Sequence, residues 1–148
     1  MKKFNFSLDS VLRVKEQLLT VVQTELARLN EAIARQEEAE AENRRRNADN
    51  DRQCAEEQAK GIDPRLMICY ADYRERLYRQ LREIQRKKTA LFRDRDNVIE
   101  KTIALKVEIA ALEKLRENEL LVYQAGIRKE EERVVDEFIG FRRVANGV

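Results

Sequence analysis

Histidine and tryptophan are absent from the 148 residues, proline occurs once, cysteine twice and glycine four times. Without histidine the chain lacks the usual neutral-pH acid or base and the commonest metal ligand. Cys54 and Cys69 cannot by themselves make up the ligand set of a structural zinc site. The glycines stand alone at Gly61, Gly126, Gly140 and Gly147, so no glycine-rich phosphate loop exists. Acidic clusters such as "RQEEAEAE" and "RKEEER" fit solvated helix faces with ion pairs between neighbouring turns better than paired catalytic carboxylates. The chain reads as a non-enzyme, with no metal, cofactor or small-molecule substrate expected.

Aromatic residues make up 6% of the chain and charged residues 39%. Such a composition can hardly fill a compact globular core. What is abundant instead is Ala, Glu, Lys, Leu and Arg, the composition of long helices that bury one narrow stripe each. Thirty basic and 28 acidic side chains leave a formal charge of +2. They are interspersed, which argues against a dedicated nucleic-acid binder. The stretch from Arg65 to Lys101 is richer in basic residues, including Arg86 to Lys88, and reads as a mildly basic solvated coil in preference to a phosphate contact. No apolar run approaches the ~20 residues that span a bilayer. "MKKFNFSLDS" lacks the apolar core of a secretory signal, so a cytoplasmic protein with reduced thiols is expected.

From Leu8 onward, apolar residues alternate in steps of three and four: Leu12, Leu19, Val22, Leu26, Leu29 and Ile33, interrupted by Lys15. This is coiled-coil spacing. The same register continues through Gln36, Glu40, Asn43, Asn47 and Asn50, with little to bury. A second rhythm runs through Tyr70, Tyr73, Leu77, Leu81, Ile84, Leu91, Val98, Leu105, Ile109 and Leu112. An apolar stripe resumes with Ile127, Val134, Phe138 and Phe141.

Between the rhythms lies "GIDPRLMICYADYRERL". Lys60 suits a helix C-terminus, and Gly61 can adopt the left-handed conformation just beyond it. Asp63 is a good N-cap, and Pro64 falls where its missing N–H costs nothing. Ile62 and Met67 have the spacing of a hydrophobic staple. So short a connection makes neighbouring helices antiparallel. The expected fold is all-α, a single coiled-coil domain over 1–148: helix 1 at about 7–60, a turn at 61–63 and helix 2 at about 64–143.

At ~1.5 Å per residue the first helix would run ~75 Å and the second ~120 Å. If residue i faces approximately residue 125 − i, Leu8 lies near Glu117, and the segment from Asn118 to Arg143 overhangs. Such an unpartnered amphipathic helix invites another protein, because packing supplies most helical stability. The same rule sets Tyr70, Tyr73, Leu77, Leu81 and Ile84 opposite Ala55, Arg52, Ala48, Arg44 and Ala41. Either bulky residues fold over alanines, or the second helix has surplus apolar surface for a partner. Cys54 and Cys69 lie near the same tip, where two buried thiols are expected before a regulatory disulfide.

The N-terminal "FNFSLDSVLRVKE", the "GIDP…YADYRERL" turn and the C-terminal "RKEEERVVDEF", in this order and spacing, resemble the FliJ family of the flagellar type III export apparatus. The resemblance implies a non-enzymatic coiled coil similar to the γ stalk of rotary ATPases. Its terminal end would bind the hexameric export ATPase, with Phe4, Phe6, Leu8, Leu12, Ile127, Val134, Phe138 and Phe141 as contacts. Its tip would bind the export gate protein FlhA and, in some members, export chaperones, through Tyr70, Tyr73, Leu77, Gln80 and Ile84. First-helix positions that carry large apolar residues in some relatives are here Ala39, Asn43, Arg46 and Asn50, which favours gate contact over chaperone escort. The implied location is cytoplasmic, peripheral to the membrane at the flagellar base. Alternatives are the stalk of a virulence type III injectisome and a structural coiled-coil homodimer.

Overall fold

The computed structural model describes residues 2–61 and 63–147. It is an antiparallel hairpin of two helices packed against each other, α1 (Asp9–Ala59) and α2 (Pro64–Ala145). No strand occurs among the described residues. The chain divides into an open-end unit, drawn from 1–20 and 103–148, and a tip unit, 21–102.

The reversal is built as the residues around it dictate. Gly61 takes a φ of 85°, the left-handed conformation that a side chain disfavours. Its N–H donates to the Gln58 carbonyl at 3.2 Å and closes α1. Across the turn, the Asp63 carboxylate accepts from the Arg65 N–H at 3.0 Å, which caps the N-terminus of α2. Ile62, half of the expected staple, lies outside the described residues.

In the tip unit the expected register is present on α1. Ile33, Asn43 and Asn50 are buried, while Val22, Leu26, Leu29, Gln36, Glu40 and Asn47 are half-buried. Two of the asparagines cross to the other helix at heptad spacing: Asn43 Nδ2 donates to the Leu77 carbonyl at 2.9 Å, and Asn50 Nδ2 to that of Tyr70 at 3.1 Å. These carbonyls also lie in the helical ladder, so each uses its second lone pair here.

On α2 the seam includes three polar positions that the apolar rhythm passes over. Lys88 is half-buried and pairs with Glu40 at 2.7 Å. Arg95 is half-buried with its guanidinium 4.8 Å from the centre of the Phe92 ring. Thr102 is buried, its hydroxyl donating to the Val98 carbonyl at 2.8 Å. Asn47 Oδ1 and Arg95 Nε are enclosed without a hydrogen-bond partner among the described residues.

The open-end unit packs differently. Phe6, Leu12 and Ile109 are buried, with Leu8, Leu19, Leu105 and Leu112 half-buried around them. Lys15, the one interruption of the first stripe, reaches Glu108 at 2.8 Å and keeps its charge at the seam edge. Residues 2–6 are non-helical and lie along α2: the Phe4 ring packs 5.5 Å from Tyr123, whose hydroxyl donates to the Lys2 carbonyl. The overhang is therefore shorter than a count of helical residues implies. Coverage extends through half-buried Tyr123 and Ile127, and every described residue from Arg128 onward is exposed. Extended chain rises more than twice as far per residue as helix, so a few residues reach well along α2.

Candidate functional site

In the tip unit, the five sequence-designated residues separate by angle around α2. Leu77, 2% exposed, is enclosed in the seam. Tyr70 and Ile84 are half-buried, while Gln80 and Tyr73 stand exposed, the latter at 37%. Leu77 thus supports the surface and offers almost none of it. Gln80 and Ile84 line a shallow groove with Ala39, Glu42, Asn43, Arg46, Glu83 and Lys87. Ala39 leaves room on the α1 side. The rim carries both signs of charge, Glu42 and Arg46 on one helix and Glu83 and Lys87 on the other.

A second groove at the tip was not read from the sequence. Asn50, Asp51, Cys54, Tyr70, Arg74 and Tyr78 are among its lining. Arg74 lies 3.6 Å from Asp51 and places its guanidinium 5.6 Å from the Tyr78 ring centre. Hydrogen bonding from Arg74, with help from Asn47, holds the Tyr78 phenol below its ordinary pKa, and the same contact with Tyr78 raises that of Arg74. Tyr78 escaped notice because it sits one position beyond Leu77, off the apolar rhythm. Leu66, Met67 and Ile68 are also exposed here.

The thiols at the tip correct an expectation. Both cysteines are free, Cys54 half-buried but Cys69 exposed. The seam passes through Tyr70, and one residue earlier on a helix points ~100° away.

The eight designated open-end residues fall into two groups. Phe6 and Leu12, each 4% exposed, are packed inside the unit, and Phe4, Leu8 and Ile127 are half-buried. Val134, Phe138 and Phe141 are 55%, 66% and 79% exposed on α2. Val135, Ile139 and Val144 beside them are exposed as well. Among the described residues, the charged side chains of this stretch form an ion pair within the helix, Arg133 with Glu137 at 3.7 Å, and none with another element.

The open end also carries an apolar stripe that the sequence reading missed. Val11, Val14 and Leu18 are exposed, each one position before a seam residue. Their steps of three and four carried the signal, hidden beside the stronger seam rhythm.

Among the described residues no group of acidic, Cys or His side chains could hold a metal ion. Among the same residues no helix is long and apolar enough to cross a membrane. A family model described as "Flagellar FliJ protein" matches residues 4–146. No curated protein matches the chain, and no solved structure does.

Proposed function

Because the chain belongs to the FliJ family and so to the flagellar protein export apparatus, we propose that it acts there as a non-enzymatic, stalk-like coupling protein. In this reading its open end docks on the hexameric export ATPase and its tip on the export gate protein FlhA, at the inner face of the membrane. The flagellar match favours this system over an injectisome stalk.

The observation that carries the reading is the bare apolar end of α2. Val134, Phe138 and Phe141 stand in water on a stretch where no other element covers them among the described residues. Each Å² of apolar surface covered there by a partner is worth ~25 cal/mol. Phe6 and Leu12, already buried, stabilise the end that presents the stripe. At the tip, Tyr73, Gln80 and the groove beside Ile84 supply the gate contact. With small or polar Ala39, Asn43 and Arg46 on its α1 wall, that groove suits the gate better than export chaperones.

ATP hydrolysis by the cognate export ATPase tests the open end. The wild-type chain should stimulate turnover, and Val134→Ala with Phe138→Ala should weaken stimulation several-fold while helical content stays unchanged. Unchanged stimulation, or a dimer without any effect on turnover, would remove the proposal. Tyr73→Ala with Gln80→Ala should weaken FlhA binding at unaltered melting temperature. Both side chains are exposed, so a sharp melting change would assign them to packing instead.

A further inference from the structure

From Arg74 to Arg93, twenty residues of α2 carry eight basic side chains and only two acidic ones, Glu75 and Glu83, a local charge of +6 against +2 for the whole chain. Lys88 belongs to the seam and Arg74 pairs with Asp51. Of the other six, Arg79, Arg82, Arg86 and Arg93 face away from α1, while Lys87 stands at the rim of the groove between the helices. At ~100° per residue, Arg79, Arg82, Arg86 and Arg93 fall within an arc of about 60°, with Arg76 and Lys87 on its flank and Leu77, Leu81 and Ile84 opposite. All six are exposed. Arg79 pairs with Glu75 at 2.7 Å, and no ion pair engages the other five among the described residues.

We infer that this stripe binds the headgroups of an anionic lipid bilayer, with the exposed apolar start of α2 dipping into the interface. The inference concerns the outward face of α2 and does not rest on gate binding. Three features select the occupant. The stripe is straight, ~21 Å from Arg79 to Arg93, so a flat surface meets all its guanidinium groups together, whereas the phosphate strands of a duplex wind away from a rod. Ile68, 60% exposed, lies on the same arc, and exposed Met67 flanks it, the apolar complement that interfacial helices use. An acidic protein helix would have to gain from exposed ion pairs, which contribute little. An anionic leaflet attracts each nearby Arg or Lys by about fivefold in affinity.

Flotation of the full chain tests this with vesicles of phosphatidylcholine and vesicles of equal parts phosphatidylcholine and phosphatidylglycerol. Binding is expected to the second and not the first, and to fall steeply as salt rises. The triple variant Arg82→Gln, Arg86→Gln, Arg93→Gln should lose roughly a hundredfold in affinity with its circular dichroism unchanged. Removing the same charge from the open end, by Lys114→Gln, Arg116→Gln and Arg128→Gln, should change affinity by less than about threefold. Ile68→Ser should weaken binding a few-fold and leave its salt dependence intact. Equal binding to both vesicles, equal losses in both triple variants, or tighter binding to a DNA duplex than to anionic vesicles would each overturn the inference.

Discussion

The open-end and tip units use one heptad register to opposite effect. At the open end the seam is apolar: Phe6, Leu12 and Ile109 are buried, and the charges of Lys15 and Glu108 meet at its edge. In the tip unit, beyond Ile33, α1 presents Gln36, Glu40, Asn43, Asn47 and Asn50 to α2. There α1 meets Leu77, Leu81 and Ile84 of α2 not with apolar side chains but with amides bonded to carbonyls and with one half-buried ion pair. Such groups specify register well and stabilise weakly, because desolvation offsets most of what each bond contributes. Two enclosed polar atoms of the tip unit, Asn47 Oδ1 and Arg95 Nε, have no hydrogen-bond partner among the described residues and weaken the unit further. The tip unit is thus aligned more than it is glued, and local opening should begin along its polar seam.

Three substitutions test that contrast. The largest expected effect is at the open end, where Leu12→Ala should cost about 2–4 kcal/mol by chemical denaturation, since it deletes an enclosed side chain. A cost below about 1 kcal/mol would mean that the apolar seam is no firmer than the polar one.

Asn43→Leu should act in the other sense. Burying leucine contributes about 1.5–3 kcal/mol, and the lost amide bond removes about 1, so a gain near 1 kcal/mol is expected. The Leu77 carbonyl keeps its helical partner. Light scattering should at the same time reveal associated species, because an apolar seam no longer dictates one register. Destabilisation with a single species would show that the asparagine holds the tip together in its own right.

The smallest effect is in the acid limb. Lys88, then Arg44, hold the Glu40 carboxyl below the ordinary carboxylate value of 4.5. The unfolded chain therefore takes up that proton more readily than the folded one. The stabilisation from Glu40 is complete above the ordinary value and is lost as pH falls through the lower folded one. Glu40→Gln should lower the melting temperature slightly on the neutral plateau, converge with the wild type in acid, and so flatten the dependence on pH between them. An unaltered acid slope would place the titration elsewhere.

The single proline, Gly61 and Asp63 specify a reversal by local chemistry alone, and the steps of three and four specify which face of each helix turns inward. Even the polar positions Asn43 and Asn50 could be placed in the seam, because register depends on spacing and not on residue type. The candidate surfaces were less legible. Tyr70, Tyr73, Leu77, Gln80 and Ile84 read as one stripe but sit at different depths, since depth depends on what the opposite helix supplies at each level. Arg95 and Lys88 were invisible as seam members, because an apolar rhythm is blind to a charged residue whose aliphatic stem lies along the seam.

By itself the sequence determined a two-helix antiparallel hairpin, its break, its register and a bare apolar end on the second helix. These follow from backbone geometry, which is periodic and local. Only the tertiary structure decided that residues 2–6 lie along α2 as far as Tyr123, that Cys69 is exposed, and that Val11, Val14 and Leu18 remain uncovered. Those outcomes depend on how far a non-helical segment reaches and on side-chain volumes across the seam, quantities that no periodicity in one chain encodes.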